Sequence, residues 1–276
     1  MTLSDKPQFR SSALLRRKRR RLTVFSTSLI FVTGVLLGGG TYFSHLQKVS
    51  IDRAYVEGNA AVSSEEILSS LREEIQGKYF GLFSRRNIFL YPKKEISSKL
   101  LQDFPRLAAA SVGFRDFQSI TVEVEERKAS GIWCGENREQ KTDCYFMDGD
   151  GFLFAKAPQF SSRIFVEYYG PISSTTPLRS SMLFPEELHR TWYFLRELGQ
   201  LGLIPQSFHA GTTAKREIVF GSGGRLIFES GRDYGELLRD LKALLESEPF
   251  KGFDRGVFDL DYIDTRLGSK VFYKKK

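Results

Sequence analysis

Three histidines, two cysteines and several acidic pairs are the side chains of this 276-residue chain that could do catalytic or metal chemistry. A zinc centre needs ligands at close, regular spacing, such as two histidines four apart on one helix with a glutamate between them. His45, His189 and His209 have no ligating residue four positions on, and no H-E-x-x-H surrounds them. His45 follows a long apolar run, His189 falls within an amphipathic helical pattern, and His209 reads as part of a loop. No G-x-S-x-G offers a nucleophilic serine. Glu125 and Glu126 close a strand pattern, where solvent exposure accounts for them. Asp148-Gly149-Asp150-Gly151 invites a calcium reading, but an EF-type loop needs ligands at alternating positions and a bidentate glutamate at the twelfth. Phe152, Leu153 and Phe154 follow at once, so a tight turn between two strands is expected instead. Cys134 and Cys144 are the only cysteines, each at the border of a strand pattern, with the polar loop GENREQKTD between them. Neither lies in a C-x-x-C, which argues against redox catalysis. The expectation is a non-enzymatic protein with no cofactor, no metal and no small-molecule substrate.

Whether the cysteines pair depends on their compartment, which the N-terminal residues decide. Arg16, Arg17, Lys18, Arg19, Arg20 and Arg21 stand directly against an uncharged run from Leu22 to Phe43. As a helix that run is about 33 Å long, against a hydrocarbon core of about 30 Å. Its polar members are hydroxyls, which a membrane helix satisfies on its own backbone. Gly38, Gly39 and Gly40 are expected to loosen its outer end. Six cations cost roughly 2.5 to 3.5 kcal/mol each at a bilayer centre, so they remain cytoplasmic as topology determinants. They would also attract anionic lipids by about 1 kcal/mol each. A cleaved signal peptide has an apolar region of about 7 to 15 residues and an A-x-A site. This run is longer and lacks the site. The expected topology is a type II single-pass protein of the cytoplasmic membrane, with residues 1–21 inside, 22–43 spanning, and the rest outside. There a disulfide between Cys134 and Cys144 is permitted. Closing a loop of about ten residues would stabilise by roughly 2 to 3 kcal/mol. Two buried free thiols are the alternative.

The net charge of +8 suggests a nucleic-acid binder until the charge is located. Residues 1–21 hold eight cations and one acid, which leaves 33 basic and 32 acidic residues beyond them. A duplex-binding domain carries its basic stripe on the fold itself, so no nucleic-acid partner is expected.

The elements after the membrane run can be read from periodicity. VSIDRAYVE (49–57) suits a first strand with an irregularity. Ser63 and Glu66 form a capping box ahead of Ile67, Leu68, Leu71 and Ile75 at helical spacing, and Gly77 ends that helix. A second helix opens at Pro92, with Ile96, Leu100, Leu101 and Phe104 on one face. Two strands follow, ASVGFRDF and SITVEVEER. In the second, Ile120, Val122 and Val124 point one way and Thr121, Glu123 and Glu125 the other. Beyond residue 127, further strands are expected at 127–134, 144–154, FVEYYG, REIVF with RLIFE, GVFDLDYID and SKVFYK. Two amphipathic helices interrupt them, PEELHRTWYFLRELG and DYGELLRDLKALLES. The fold class is α+β: one N-terminal transmembrane helix, a βααββ domain at 49–126, then a mostly antiparallel β-domain with packed helices at 127–276.

The order β-α-α-β-β just after a single membrane span resembles a POTRA domain. VEGNAAVSSEEI, NIF, LLQDFPRLAAASV, ITVEVEERKASGIW and CYFMDGDGFLF are together similar to the FtsQ/DivIB family of bacterial cell-division proteins. YIDTRLGSKVFYK resembles that family's closing strand pair, with Thr265 where leucine is usual. The resemblance implies a divisome scaffold at the division septum. It implies partners among other divisome membrane proteins, namely coiled-coil proteins of the FtsB/DivIC and FtsL kinds. It further implies that the last strands receive such a partner, through Arg266, Ser269, Lys270, Val271, Phe272 and Tyr273. An edge strand can accept an added strand through its free backbone groups. A POTRA-containing secretion or envelope-assembly component is the other reading. The regular ten-residue strand series of a β-barrel is absent after residue 127, which disfavours it.

Overall fold

The computed structural model describes residues 12–139, 143–162, 164–182, 185–211, 213–250, 260–267 and 270–275. Helix α1 (Ser12–Ser44) opens the described chain. Within it, Arg19–Ser44 is long and apolar enough to cross a membrane, and residues 19–39 are exposed. The helix includes the basic cluster, so Arg16 to Arg21 share its first turns. Thr23, Thr27 and Thr33 donate back to the carbonyls of Arg20, Thr23 and Leu29 at 2.8–2.9 Å. The loosening expected at Gly38–Gly40 does not occur, and the helix runs unbroken to Ser44. Tertiary contacts hold its end. Ser44 is buried; its hydroxyl donates to the Thr41 carbonyl at 2.8 Å and accepts from the Ser84 N–H at 3.3 Å. Asn87 also donates to the Ser44 carbonyl at 3.3 Å.

The described residues fall into two compact units, one comprising residues up to 103 together with 109–124, the other 104–108 and 125 onward. The first unit continues from α1 through β1 (Arg53–Glu57), α2 (Ser64–Glu74), β2 (Lys78–Tyr79), β3 (Phe83–Ser84), α3 (Lys93–Asp103), β4 (Leu107–Asp116) and β5 (Ser119–Glu126). Its sheet has the order β1–β5–β4, with β1 parallel to β5. Ile67 and Leu71 of α2 and Ile96 and Leu100 of α3 bury completely, as do Ile120 and Val122 of β5. Ser63 caps α2 by accepting the Glu65 N–H at 3.2 Å, and Gly77 follows the helix at φ +89°. The first strand is shorter than 49–57. Its upper half pairs elsewhere: the Ile51 N–H donates to the Arg86 carbonyl and the Ile88 N–H to the Val49 carbonyl, both at 2.8 Å. The small hairpin β2–β3 occupies the connection between α2 and α3.

The second unit contains β6 (Gly131–Trp133), β7 (Tyr145–Met147), β8 (Leu153–Lys156), β9 (Glu167–Tyr169), α4 (Pro185–Gln200), β10 (Pro205–Ala210), β11 (Lys215–Phe220), β12 (Arg225–Glu229), α5 (Tyr234–Glu246), β13 (Leu260–Leu267) and β14 (Lys270–Lys275). These strands form one sheet in the order β14–β13–β12–β11–β10–β9–β6–β7–β8. Five of its eight pairings are antiparallel and three parallel. Two parallel pairs, β9–β10 and β12–β13, arise where α4 and α5 carry the chain across, since parallel neighbours need a long crossover. Leu188, Phe194 and Leu198 of α4 and Leu237, Leu241 and Leu245 of α5 bury against Phe208, Phe220, Leu226, Phe228 and Ile263 of the sheet. Ile132, Cys134 and Tyr169 form a separate cluster with Ala157. Successive strand residues face opposite ways, so Trp133 and Tyr168 belong to the helix-covered core while their neighbours do not.

Candidate functional site

The C-terminal hairpin β13–β14 forms one border of the nine-stranded sheet, with β14 outermost. β13 lies parallel to β12, setting Leu226 beside Ile263 and Ile227 beside Asp264. Ile263 and Thr265 turn inward and bury completely, and the Thr265 hydroxyl donates to the Ile227 carbonyl at 3.1 Å. The Thr265 carbonyl accepts from Arg232, whose guanidinium also reaches Asp240 at 2.8 Å. A threonine at this position therefore fastens β13 to β12 by a side-chain bond that leucine could not make. In β14, Val271 packs on the core and the Tyr273 ring meets Phe250 edge-on at 5.0 Å. Phe272 is half exposed and lies opposite Asp264 in register. Only one side of β14 is paired among the described residues, so its other edge presents backbone N–H and C=O groups.

Of the partner-binding candidates, Arg266, Lys270, Val271, Phe272 and Tyr273 all lie on this hairpin, and Ser269 lies outside the described residues. Arg266 is not a bare strand-end charge. Its Nη2 donates to Asp264 Oδ2 at 2.6 Å and its Nε to Oδ1 at 3.0 Å. Hydrogen bonding from Arg266 holds the Asp264 carboxyl below the usual range. Nearby, the Lys274 ammonium and the Arg225 guanidinium hold Asp261 down in the same way, at 3.3 and 3.2 Å. The Arg266 guanidinium is thus already engaged by Asp264.

Cys134 and Cys144 form a disulfide with Cα atoms 4.2 Å apart. Cys134 directly follows β6, where its N–H donates to the Tyr168 carbonyl at 3.0 Å, and the Cys144 carbonyl accepts from Ala157 at 2.8 Å. The bridge ties the β6–β7 connection at the root of the hairpin. Both oxygens of Asp148 in the DGDG turn are engaged. Oδ1 accepts the N–H groups of Asp150 and Phe152 at 3.0 Å, and Oδ2 meets Arg127 at 2.5 Å. The turn is organised by its own backbone and one arginine, as a connection between β7 and β8. No cluster of three metal-ligating side chains occurs among the described residues.

Two polar arrangements escaped the sequence reading. His209 is not in a loop: it lies in β10, bonded on both sides by β9 and β11. Its imidazole stacks on Tyr169 with centroids 4.6 Å apart and contacts the Ser207 hydroxyl at 2.9 Å. Burial lowers the His209 pKa, and burial together with Glu167 raises that of Tyr169. Ser207 is buried and His209 partly so. The second is Arg216, 2% exposed in β11. It grips Glu187 of α4 through Nε at 2.7 Å and Nη2 at 2.8 Å, and donates to the Thr213 carbonyl at 2.7 Å and the Ser230 hydroxyl at 3.0 Å. Its inward direction was legible: Arg216, Ile218 and Phe220 alternate, and all three are buried.

The outer edge of β14 is chemically suited to binding by strand addition, and the exposed His189 contacts Asp150 at 3.1 Å. No protein-family model and no curated protein matches the chain.

Proposed function

We propose that this chain is a bitopic membrane scaffold of the bacterial division machinery, of the FtsQ/DivIB kind, and not an enzyme. In this reading α1 spans the cytoplasmic membrane, with Arg16 to Arg21 inside. Residues 49–126 act as a POTRA-like module, and 127–276 act as a β-domain that pairs an extracytoplasmic coiled-coil partner at its last strand. The order β1-α2-α3-β4-β5 around a three-stranded sheet supports the POTRA-like reading. The Cys134–Cys144 bridge supports an oxidising compartment.

The observation that carries the proposal is β14, an outermost strand paired on one side only among the described residues. Its backbone groups can extend the sheet by one strand, and the half-exposed Phe272 offers a side-chain contact beside that edge. Two experiments test it together. A fluorescent fusion in growing cells should form midcell bands, and depletion should give filaments. Replacing Ser269–Tyr273 with a proline-bearing segment should abolish co-purification of the coiled-coil partner. Uniform envelope signal with normal septa, or unchanged co-purification, refutes the reading.

A further inference from the structure

Resting on the membrane-spanning reading of α1, we infer that the β2–β3 hairpin and the aromatic rings beside it insert into the outer leaflet of the bilayer. They meet it at the boundary between acyl chains and headgroups, and so orient the first unit on the membrane. The hairpin tip is apolar and bare: Phe80 is 94% exposed and Leu82 42% exposed. Phe80 also adopts φ +50° and Gly81 φ +72°. A bulky residue in the left-handed region is strained, and in water an exposed phenyl ring gains nothing that offsets the strain.

The patch is continuous with α1. A methyl group placed on Gly40 would meet the Phe83 ring at 3.2 Å, so the hairpin lies against the helix at that level. Gly40 is four residues before the helix end, roughly 6 Å back along the axis at 1.5 Å per residue. Whatever depth α1 has at Gly40, the Phe83 ring shares it. From Phe43 the rings continue in a row: Phe43 stacks on Phe89 at 6.3 Å, Phe89 meets Phe117 at 6.2 Å, and Phe117 meets Phe114 at 5.9 Å. Phe89, Phe114 and Phe117 are each more than half exposed. Gly40, Phe43, Tyr79, Phe80, Phe83 and Phe89 line a concavity of about 450 Å³. Contiguous exposed apolar surface on a soluble domain marks a contact, and a row of aromatic rings starting at the outer end of a spanning helix fits the bilayer interface. Lys78, exposed at the base of the hairpin, suits anionic headgroups.

The test uses the full chain reconstituted in vesicles of phosphatidylethanolamine and phosphatidylglycerol. Single spin labels are placed through Phe80→Cys, Phe117→Cys, Val32→Cys and Thr175→Cys, and collision with oxygen and with a water-soluble nickel chelate is measured. Phe80 and Thr175 are exposed, so neither substitution threatens folding. The expected result is a several-fold higher oxygen-to-nickel ratio at 80 and 117 than at 175, below the value at 32. Free access of nickel to 80 and 117 with a high ratio at 32 overturns the inference and leaves the spanning helix standing. Low access to both reagents at 80 overturns it in favour of a protein partner or a second copy of the chain. A low ratio at 32 refutes the spanning helix and, with it, this inference.

Discussion

Arg216 offers the sharpest test of how the second unit holds its shape. Arg216→Met keeps most of the side-chain length and removes the charge, leaving Glu187 with the weaker Ser230 hydroxyl bond at 3.3 Å and without its ion-pair partner. The Arg216 side chain is 3% exposed and that of Glu187 12%. Removing one partner of a buried ion pair costs about 3 to 5 kcal/mol, because the other is left charged in a poor solvent. Glu187 retains some access to water, so the lower end applies, about 3 kcal/mol. Both tryptophans, Trp133 and Trp192, belong to the second unit, so selectively excited tryptophan fluorescence during urea unfolding in detergent micelles reports that unit. With a urea slope of about 2 kcal/mol per molar for a unit of this size, the midpoint should fall by about 1.5 M. The double variant Arg216→Met, Glu187→Leu should recover most of the loss, since an apolar pair of similar volume replaces a buried ion pair at little net cost. A fall below about 0.3 M in the single variant, or a double variant no more stable than the single, refutes the account.

Three further outcomes are expected. Reducing the Cys134–Cys144 bridge should lower stability by about 2 to 3 kcal/mol, for a loop with sequence separation 10. Urea midpoints with and without reductant check this, and alkylation before reduction should label neither cysteine. His209 has a folded pKa below its ordinary value because burial disfavours the imidazolium. Between that value and about 6.5 the unfolded chain binds more protons, so its contribution to stability shrinks as pH falls through this window. The urea midpoint of the wild type should therefore drop between pH 7 and pH 5.5 by more than that of His209→Gln, and parallel drops would contradict it. Thr265→Leu should loosen β13 from β12 by removing the bond to the Ile227 carbonyl. A cost of about 1 to 3 kcal/mol is expected from the lost side-chain hydrogen bond together with overpacking, read as faster amide exchange in β13, and unchanged exchange would exclude it.

Much of the fold was legible along the chain because local periodicity and the buried face coincide. Leu188, Leu195 and Leu198 repeat at helical spacing and bury on α4. Ile120, Val122 and Val124 alternate and bury on β5. Ser63 and Gly77 bracket α2 through bonds that span a few residues. β10 was missed because Pro205, Gln206, Ser207 and His209 carry polar or turn-forming chemistry, and what makes them a strand is the ladder on each side. The two-residue strands β2 and β3 have no periodicity to detect. On the candidate site, the chain placed Arg266 at the end of the last hairpin but could not reveal that Asp264 already grips it.

By itself the sequence determined what depends on neighbours in the chain. That covers the apolar run behind six cations, the helices, most strands, and the two cysteines at strand ends. Only the tertiary structure decided which strands became neighbours, that β14 lies outermost, that Arg216 reaches across to α4, and that Phe83 lies beside Gly40. Those pairings join residues tens of positions apart. Their energies come from burial and hydrogen bonds that do not exist until the chain has closed on itself, so no local pattern encodes them.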